Sequence, residues 1–158
     1  MKTLLVYYSR TGVTKKLANF IVGKFIAETE EIKDTANRAG VTGYLSAGRD
    51  ATMRRLTKLE AVENNPADFD LVIIGTPIWA WNMAAPIRTY LTEYKDRIKQ
   101  AAFFCTMGSS GDQKAFKEMA EILGKAPVAV VSLTTKEVVS GETQKAEKFC
   151  EEIIKKNI

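Results

Sequence analysis

The chain has 158 residues, 46% of them apolar and 27% charged, a balance that excludes both intrinsic disorder and a disulfide scaffold. It contains no histidine, so a Ser-His-Asp triad, a Cys-His pair and a histidine metal ligand are all ruled out. The formal net charge is +4, and the surplus sits in residues 1–60, which carry 11 Lys+Arg against 6 Asp+Glu.

Thr3–Tyr8 is a short run of Leu, Val and Tyr and is predicted as a buried strand. It runs into Ser9-Arg10-Thr11-Gly12-Val13-Thr14, after which Leu17, Ala18, Ile21, Val22 and Phe25 recur on one helical face. Glu30–Lys33 is a weaker strand. Residues 34–50 are rich in Gly and read as a long loop or insertion, followed by a short basic helix over Ala51–Leu59. Leu71–Gly75 is a strong strand ahead of Thr76-Pro77-Ile78-Trp79-Ala80-Trp81, and Pro86 opens a helix through Tyr94. Ala101–Met107 is a strand, Ala115–Leu123 a helix, Val128–Leu133 a strand, and about Thr143–Asn157 a final helix. With neither repeats nor a linker, residues 1–158 are expected to form one domain.

Five apolar strands alternating with amphipathic helices predict an α/β fold, a three-layer doubly wound parallel sheet. For the strand order 2-1-3-4-5, ligands bind beyond the carboxyl ends of the first and third strands. Three loops emerge there. In the first, Gly12 and the hydroxyls lead into a helix whose opening amides favour a phosphate. Neither Gly-x-x-x-x-Gly-Lys-Ser/Thr nor Gly-x-Gly-x-x-Gly is present. The competing reading is an ordinary helix capped by Thr14 or Thr11. The second loop holds both tryptophans of the chain, and one is expected to lie against a planar ligand while the other packs down. The third, Thr106-Met107-Gly108-Ser109-Ser110-Gly111-Asp112, offers accessible backbone amides to a heterocycle edge.

Cys105 precedes this third loop as a phosphatase nucleophile would, but no Arg follows within residues 106–113. Cys105 and Cys150 are therefore expected to be buried, reduced core residues. The excess positive charge is modest and lacks interleaved aromatics, which argues against nucleic acid. No apolar run approaches the roughly 20 residues of a membrane span, and the opening segment is too short for a secretory signal. A cytoplasmic location is the expectation.

Taken together the three loops resemble those of the flavodoxin family. Ser9-x-Thr11-Gly12-x-Thr14 is similar to its phosphate loop, Thr76-Pro77-Ile78-Trp79 to its second flavin loop, and Thr106–Asp112 occupies the third. The resemblance implies a metal-free FMN site built from Ser9, Arg10, Thr11, Gly12, Val13, Thr14, Thr76, Pro77, Ile78, Trp79, Ala80, Trp81, Thr106, Met107, Gly108, Ser109 and Asp112, with Trp79 chosen as the stacking residue. It implies an electron carrier whose flavin cycles between oxidised, semiquinone and hydroquinone states and which docks on redox partner proteins, without a catalytic residue of its own. The alternative is an NAD(P)H-dependent quinone or flavin reductase. A non-flavin phosphate-binding regulatory module ranks last, because loops one and three lack the clustered carboxylates of a receiver domain. Four departures stand out: Val13 where the family often has Asn, a basic rather than acidic chain, no Tyr or Trp in the third loop, and the 34–50 segment.

Overall fold

The computed structural model describes residues 1–156. Its elements are, in chain order, β1 (Thr3–Tyr7), α1 (Val13–Val22), β2 (Ala27–Glu31), α2 (Gly40–Thr52), β3 (Leu71–Trp79), β4 (Asn82–Met83), α3 (Ala85–Tyr94), β5 (Ala101–Met107), α4 (Asp112–Leu123), β6 (Val130–Thr134), α5 (Thr135–Ser140) and α6 (Gln144–Lys156). The parallel sheet has the order β2-β1-β3-β5-β6, which is the predicted 2-1-3-4-5 once β4, a short antiparallel partner of β3, is set aside.

The strand period of two divides the apolar residues between two layers. Leu4, Val6, Val72, Ile74 and Phe103 face one side, under Ile87 and Leu91 of α3 and Phe116 and Met119 of α4. Leu5, Tyr7, Leu71, Ile73 and Phe104 face the other, under Leu17 and Ile21 of α1 and Phe149 and Ile153 of α6. In mid-sheet Gly75 of β3 pairs with Phe104 of β5, whose ring occupies the space a side chain on Gly75 would need. Gly75 also stands in register with Tyr7, so the carboxyl ends of β1, β3 and β5 lie side by side.

Several sequence expectations need correction. The 34–50 segment is not a structureless loop: most of it forms α2. The buried residues of α2 are Gly43, Ala47 and Ala51, a stripe of small residues at i, i+4 and i+8, so the helix lies close to its neighbours without large apolar side chains. A side chain at Gly43 would collide with the Arg38 backbone. The helix expected over Ala51–Leu59 ends at Thr52, followed by Arg54 with φ 52°. The third strand continues past Gly75 to Trp79, the second covers Ala27–Glu31 rather than Glu30–Lys33, and α5 was not foreseen. Asn157, the predicted end of the last helix, lies outside the described residues.

The extension of β3 turns the second loop into a hairpin. Trp79 pairs with Asn82 and Ile78 with Met83, leaving Ala80 and Trp81 as a two-residue turn with φ 46° and 61°. Both values are positive, as a type I′ turn requires. The Asn82 side-chain amide donates to the Ala80 carbonyl at 2.6 Å and braces the turn. Among the described residues no helix is long and apolar enough to cross a membrane.

Candidate functional site

At the end of β1, Gly12 takes the N-cap position of α1 with φ 91°, and neither Thr11 nor Thr14 caps it. The Ser9 hydroxyl does part of that work, accepting from the amides of Gly12 at 3.1 Å and Lys15 at 3.2 Å. The amides of Val13 and Thr14 have no protein acceptor among the described residues. They sit at the positive end of the helix dipole. Space is open around the Gly12 Cα. Lys15 is already committed, its ammonium 2.8 Å from Glu31, so the charge on offer at this corner is Arg10.

Thr14 does not present its hydroxyl to solvent. It is buried and shares a 2.7 Å hydrogen bond with the equally buried Thr106 of β5. Thr76 is fully buried too; its hydroxyl accepts from the Ala84 amide at 3.0 Å and donates to the Pro77 carbonyl at 2.8 Å. The Thr14–Thr106 bond fastens the first loop to the third, and Thr76 fastens the second loop to the start of α3. Asp112 opens α4, where its carboxylate accepts from the Ser132 hydroxyl at 2.7 Å. Burial pushes that acid up, but the bonds from Ser132 and Gln113 hold it below the ordinary carboxylate value. Cys105 is buried and its thiol is pushed far up by burial, so it stays protonated, and Cys150, likewise free and buried, is pushed up to about 11. The expectation of inert core cysteines holds.

An open groove of about 530 Å³ lies at this rim. The hairpin contributes Ile78, Trp79, Ala80 and Trp81, and the loop after β5 contributes Gly108, Ser109 and Ser110. Tyr44, Leu45, Gly48 and Arg49 of α2 complete it. These α2 residues were missed in the sequence because the segment read as a loop. Ser9, Arg10 and Thr11 line an adjoining depression with Tyr8 and Arg38. The two regions meet where the Arg10 guanidinium lies 5.4 Å from the Tyr44 ring centroid.

Both tryptophans line the groove, one packed down and one projecting outward. Trp79 is only 8% exposed; its ring packs edge-on against Tyr8 at 5.3 Å, with the Arg38 guanidinium 5.3 Å from its centroid. Trp81 is 63% exposed and its indole N–H donates to Ser110 at 3.1 Å. Gly111 lies directly beneath, where a Cβ would come within 2.8 Å of the Trp81 Cα. Arg38 is itself buried and donates to Asp34 at 2.9 Å and Asp50 at 3.0 Å, which ties the start of α2 to its end. Burial and the nearby Asp34 push Tyr8 up to about 12, so this wall stays neutral at physiological pH. Among the described residues no group of His, Cys, Asp and Glu side chains is arranged to hold a metal ion.

A doubly wound sheet with an open helix N-terminus beside an aromatic groove, both at the switch point, defines a flavodoxin-like nucleotide-binding protein. The chain belongs to the flavodoxin family, whose sequence model matches residues 2–148. Among solved structures it is similar to a flavoprotein from Lactobacillus acidophilus in complex with FMN, with a TM-score of 0.75 and 24% identity over 94% of this chain and 97% of that one. The apo-form of the flavoprotein from Lactobacillus acidophilus gives a TM-score of 0.64 and 26% identity over 83% and 91% of the two chains. A flavodoxin from the domain Archaea gives a TM-score of 0.53 and 18% identity over 94% and 99%. No curated protein sequence matches the chain.

Proposed function

We propose that this chain is an FMN-binding electron carrier. The observation that carries the reading is the pair of unpartnered amides of Val13 and Thr14, open at the start of α1 beside a groove that exposes Trp81. FMN supplies the one- and two-electron redox chemistry when bound. The chain's part is to grip and position. The amides of Gly12, Val13, Thr14 and Lys15 receive the phosphate, which takes over from Ser9 as acceptor for the first and last of them. Trp81 lies against the ring, its indole fixed by Ser110. Gly108 and Ser109 bring backbone amides to the polar edge of the ring. Arg10 and Arg49 place positive charge at the phosphate and ring ends.

Partners are redox proteins, and the buried reduced thiols suit a cytoplasmic setting. The second reading, an NAD(P)H-dependent quinone or flavin reductase, draws support from the small side chains of Gly108, Ser109 and Ser110, which leave room over the ring for a hydride donor. Titrating the apo-protein with FMN and with riboflavin, followed by flavin fluorescence, tests the phosphate grip. FMN should bind at least 100-fold more tightly, about 2.7 kcal/mol; equal affinity removes the reading. Anaerobic mixing of the loaded protein with NAD(P)H separates the two roles, since a carrier bleaches slowly and a reductase at catalytic rates.

A further inference from the structure

The amphipathicity of α2 is reversed. Its core side carries Gly43, Ala47 and Ala51, while the bulky Tyr44 and Leu45 project outward, Tyr44 at 61% exposure. A helix face turned to water is ordinarily polar, and an exposed aromatic beside an aliphatic neighbour marks a binding surface. Both side chains line the groove that also exposes Trp81, so two large aromatics from different elements open into one cavity. The loop after β5, by contrast, brings only Gly108, Ser109 and Ser110 to that cavity.

We propose that Tyr44 is the second aromatic wall of the cofactor site, so that α2, rather than the loop after β5, covers the ring face turned away from Trp81. The proposal rests on the FMN reading and adds to it a positioning residue from outside the three loops. The occupant is a ring rather than a protein side chain because of what stands next to Tyr44. Arg10 belongs to the phosphate loop and lies over the Tyr44 ring, so a ligand with its phosphate at Val13 and Thr14 reaches this wall within a single molecule. The helix that carries the wall is also braced. Arg10 donates to the Arg38 carbonyl at 3.3 Å, and Arg38 is clamped between Asp34 and Asp50, the latter in the last turn of α2. A preorganised aromatic face loses little entropy when a planar ring is laid on it.

The experiment titrates apo-protein with FMN in four forms: wild type, Tyr44→Ala, Tyr44→Phe and Val41→Ala. Val41 is an exposed residue of α2 that does not line the groove, so its variant reports any general effect of altering the helix surface. Affinity, quenching of flavin fluorescence and the visible circular dichroism of the bound flavin are read together. Tyr44→Ala should weaken FMN binding about tenfold, recover flavin emission and lose much of the visible dichroism. Tyr44→Phe should keep all three near the wild-type values, and Val41→Ala should change none. If Tyr44→Ala binds FMN with wild-type affinity, quenching and dichroism, the proposal is overturned while the FMN reading stands. A uniform loss in Tyr44→Ala, Tyr44→Phe and Val41→Ala also overturns it, since that would mark helix packing rather than ring contact. Failure of the wild type to take up FMN overturns both.

Discussion

Thr14 and Thr106 share a 2.7 Å hydrogen bond between two buried hydroxyls, 92 residues apart in sequence. It joins the first turn of α1 to the end of β5, so two of the three site loops hang on one contact. Replacing Thr14 by Val leaves the Thr106 hydroxyl without a partner and should cost about 1–3 kcal/mol in urea unfolding of the apo-protein. The Thr14→Val/Thr106→Val pair should recover most of that loss, because both hydroxyls are then gone. A double variant as unstable as the sum of the singles would show that the contact carries little coupling.

Gly12 takes φ 91° in open space, so a side chain there meets strain and no clash. Gly12→Val should cost about 1–2 kcal/mol of stability through the left-handed backbone. It should also weaken FMN binding at least tenfold, because relief of the strain turns the first amides of α1 away. Riboflavin, which lacks the phosphate, should lose much less affinity than FMN in the same variant.

The two tryptophans should separate stability from binding. Trp79 is a core residue, and Trp79→Ala should destabilise the apo-protein by about 3–5 kcal/mol. Trp81→Ala should leave stability within about 0.5 kcal/mol and weaken FMN by about 1–3 kcal/mol. The reverse pattern in urea melts and fluorescence titrations would return the stacking role to Trp79.

Arg49 lines the ring groove and its only ionic neighbour is Asp50, at 3.5 Å, among the described residues. One unit charge about 10 Å from the ring, at an effective dielectric near 40, is worth roughly 0.8 kcal/mol, or about 35 mV for one electron. Arg49→Gln should therefore make the potential of the bound flavin more negative by about that amount in dilute buffer. The shift should shrink in about 0.5 M salt.

Glu137 gives a pH signature away from the site. Its carboxylate accepts from Lys145 at 2.6 Å and from the Thr134 amide at 2.7 Å, which closes the capping box of α5. The Lys145 bond, then the Thr134 amide, hold its pKa at about 2, below the ordinary 4.5. A value depressed by folding contributes stability above pH 4.5 that fades as the pH falls toward 2. The gap in urea midpoint between wild type and Glu137→Gln should be constant near neutrality and narrow from about pH 4.5 downward.

The central strands were legible because Leu71–Ile74 and Ala101–Phe104 are apolar without interruption, a pattern that surface elements do not imitate. Right-handed crossovers left few topologies, and the flavodoxin resemblance supplied the order 2-1-3-4-5 among them. What escaped was structure built from the wrong-looking residues. Gly40, Gly43 and Gly48 made α2 look like a loop, and its buried stripe contains no Leu, Ile or Phe to announce a period. The loss of α2 took Tyr44, Leu45 and Arg49 from the candidate site. The three hydroxyls of the first loop looked alike in sequence, yet only Ser9 accepts from amides of the helix start, those of Gly12 and Lys15, while Thr14 turns inward to Thr106 of β5. The short helix α5 had a readable signal in Thr134-x-x-Glu137, a capping box that went unused. Two tryptophans two residues apart are ambiguous until the hairpin register is known, since a tight turn can send either outward.

The hairpin tip has no glycine, although both of its residues take positive φ. Each carries a conformational penalty of about 1–2 kcal/mol. Ala80→Gly is therefore an inviting route to a hardier protein, and it is also the one that would loosen the mount of the Trp81 indole. Selection in the laboratory for heat resistance alone would tend to relax this corner first, yielding a sturdier polypeptide that holds its pigment less firmly.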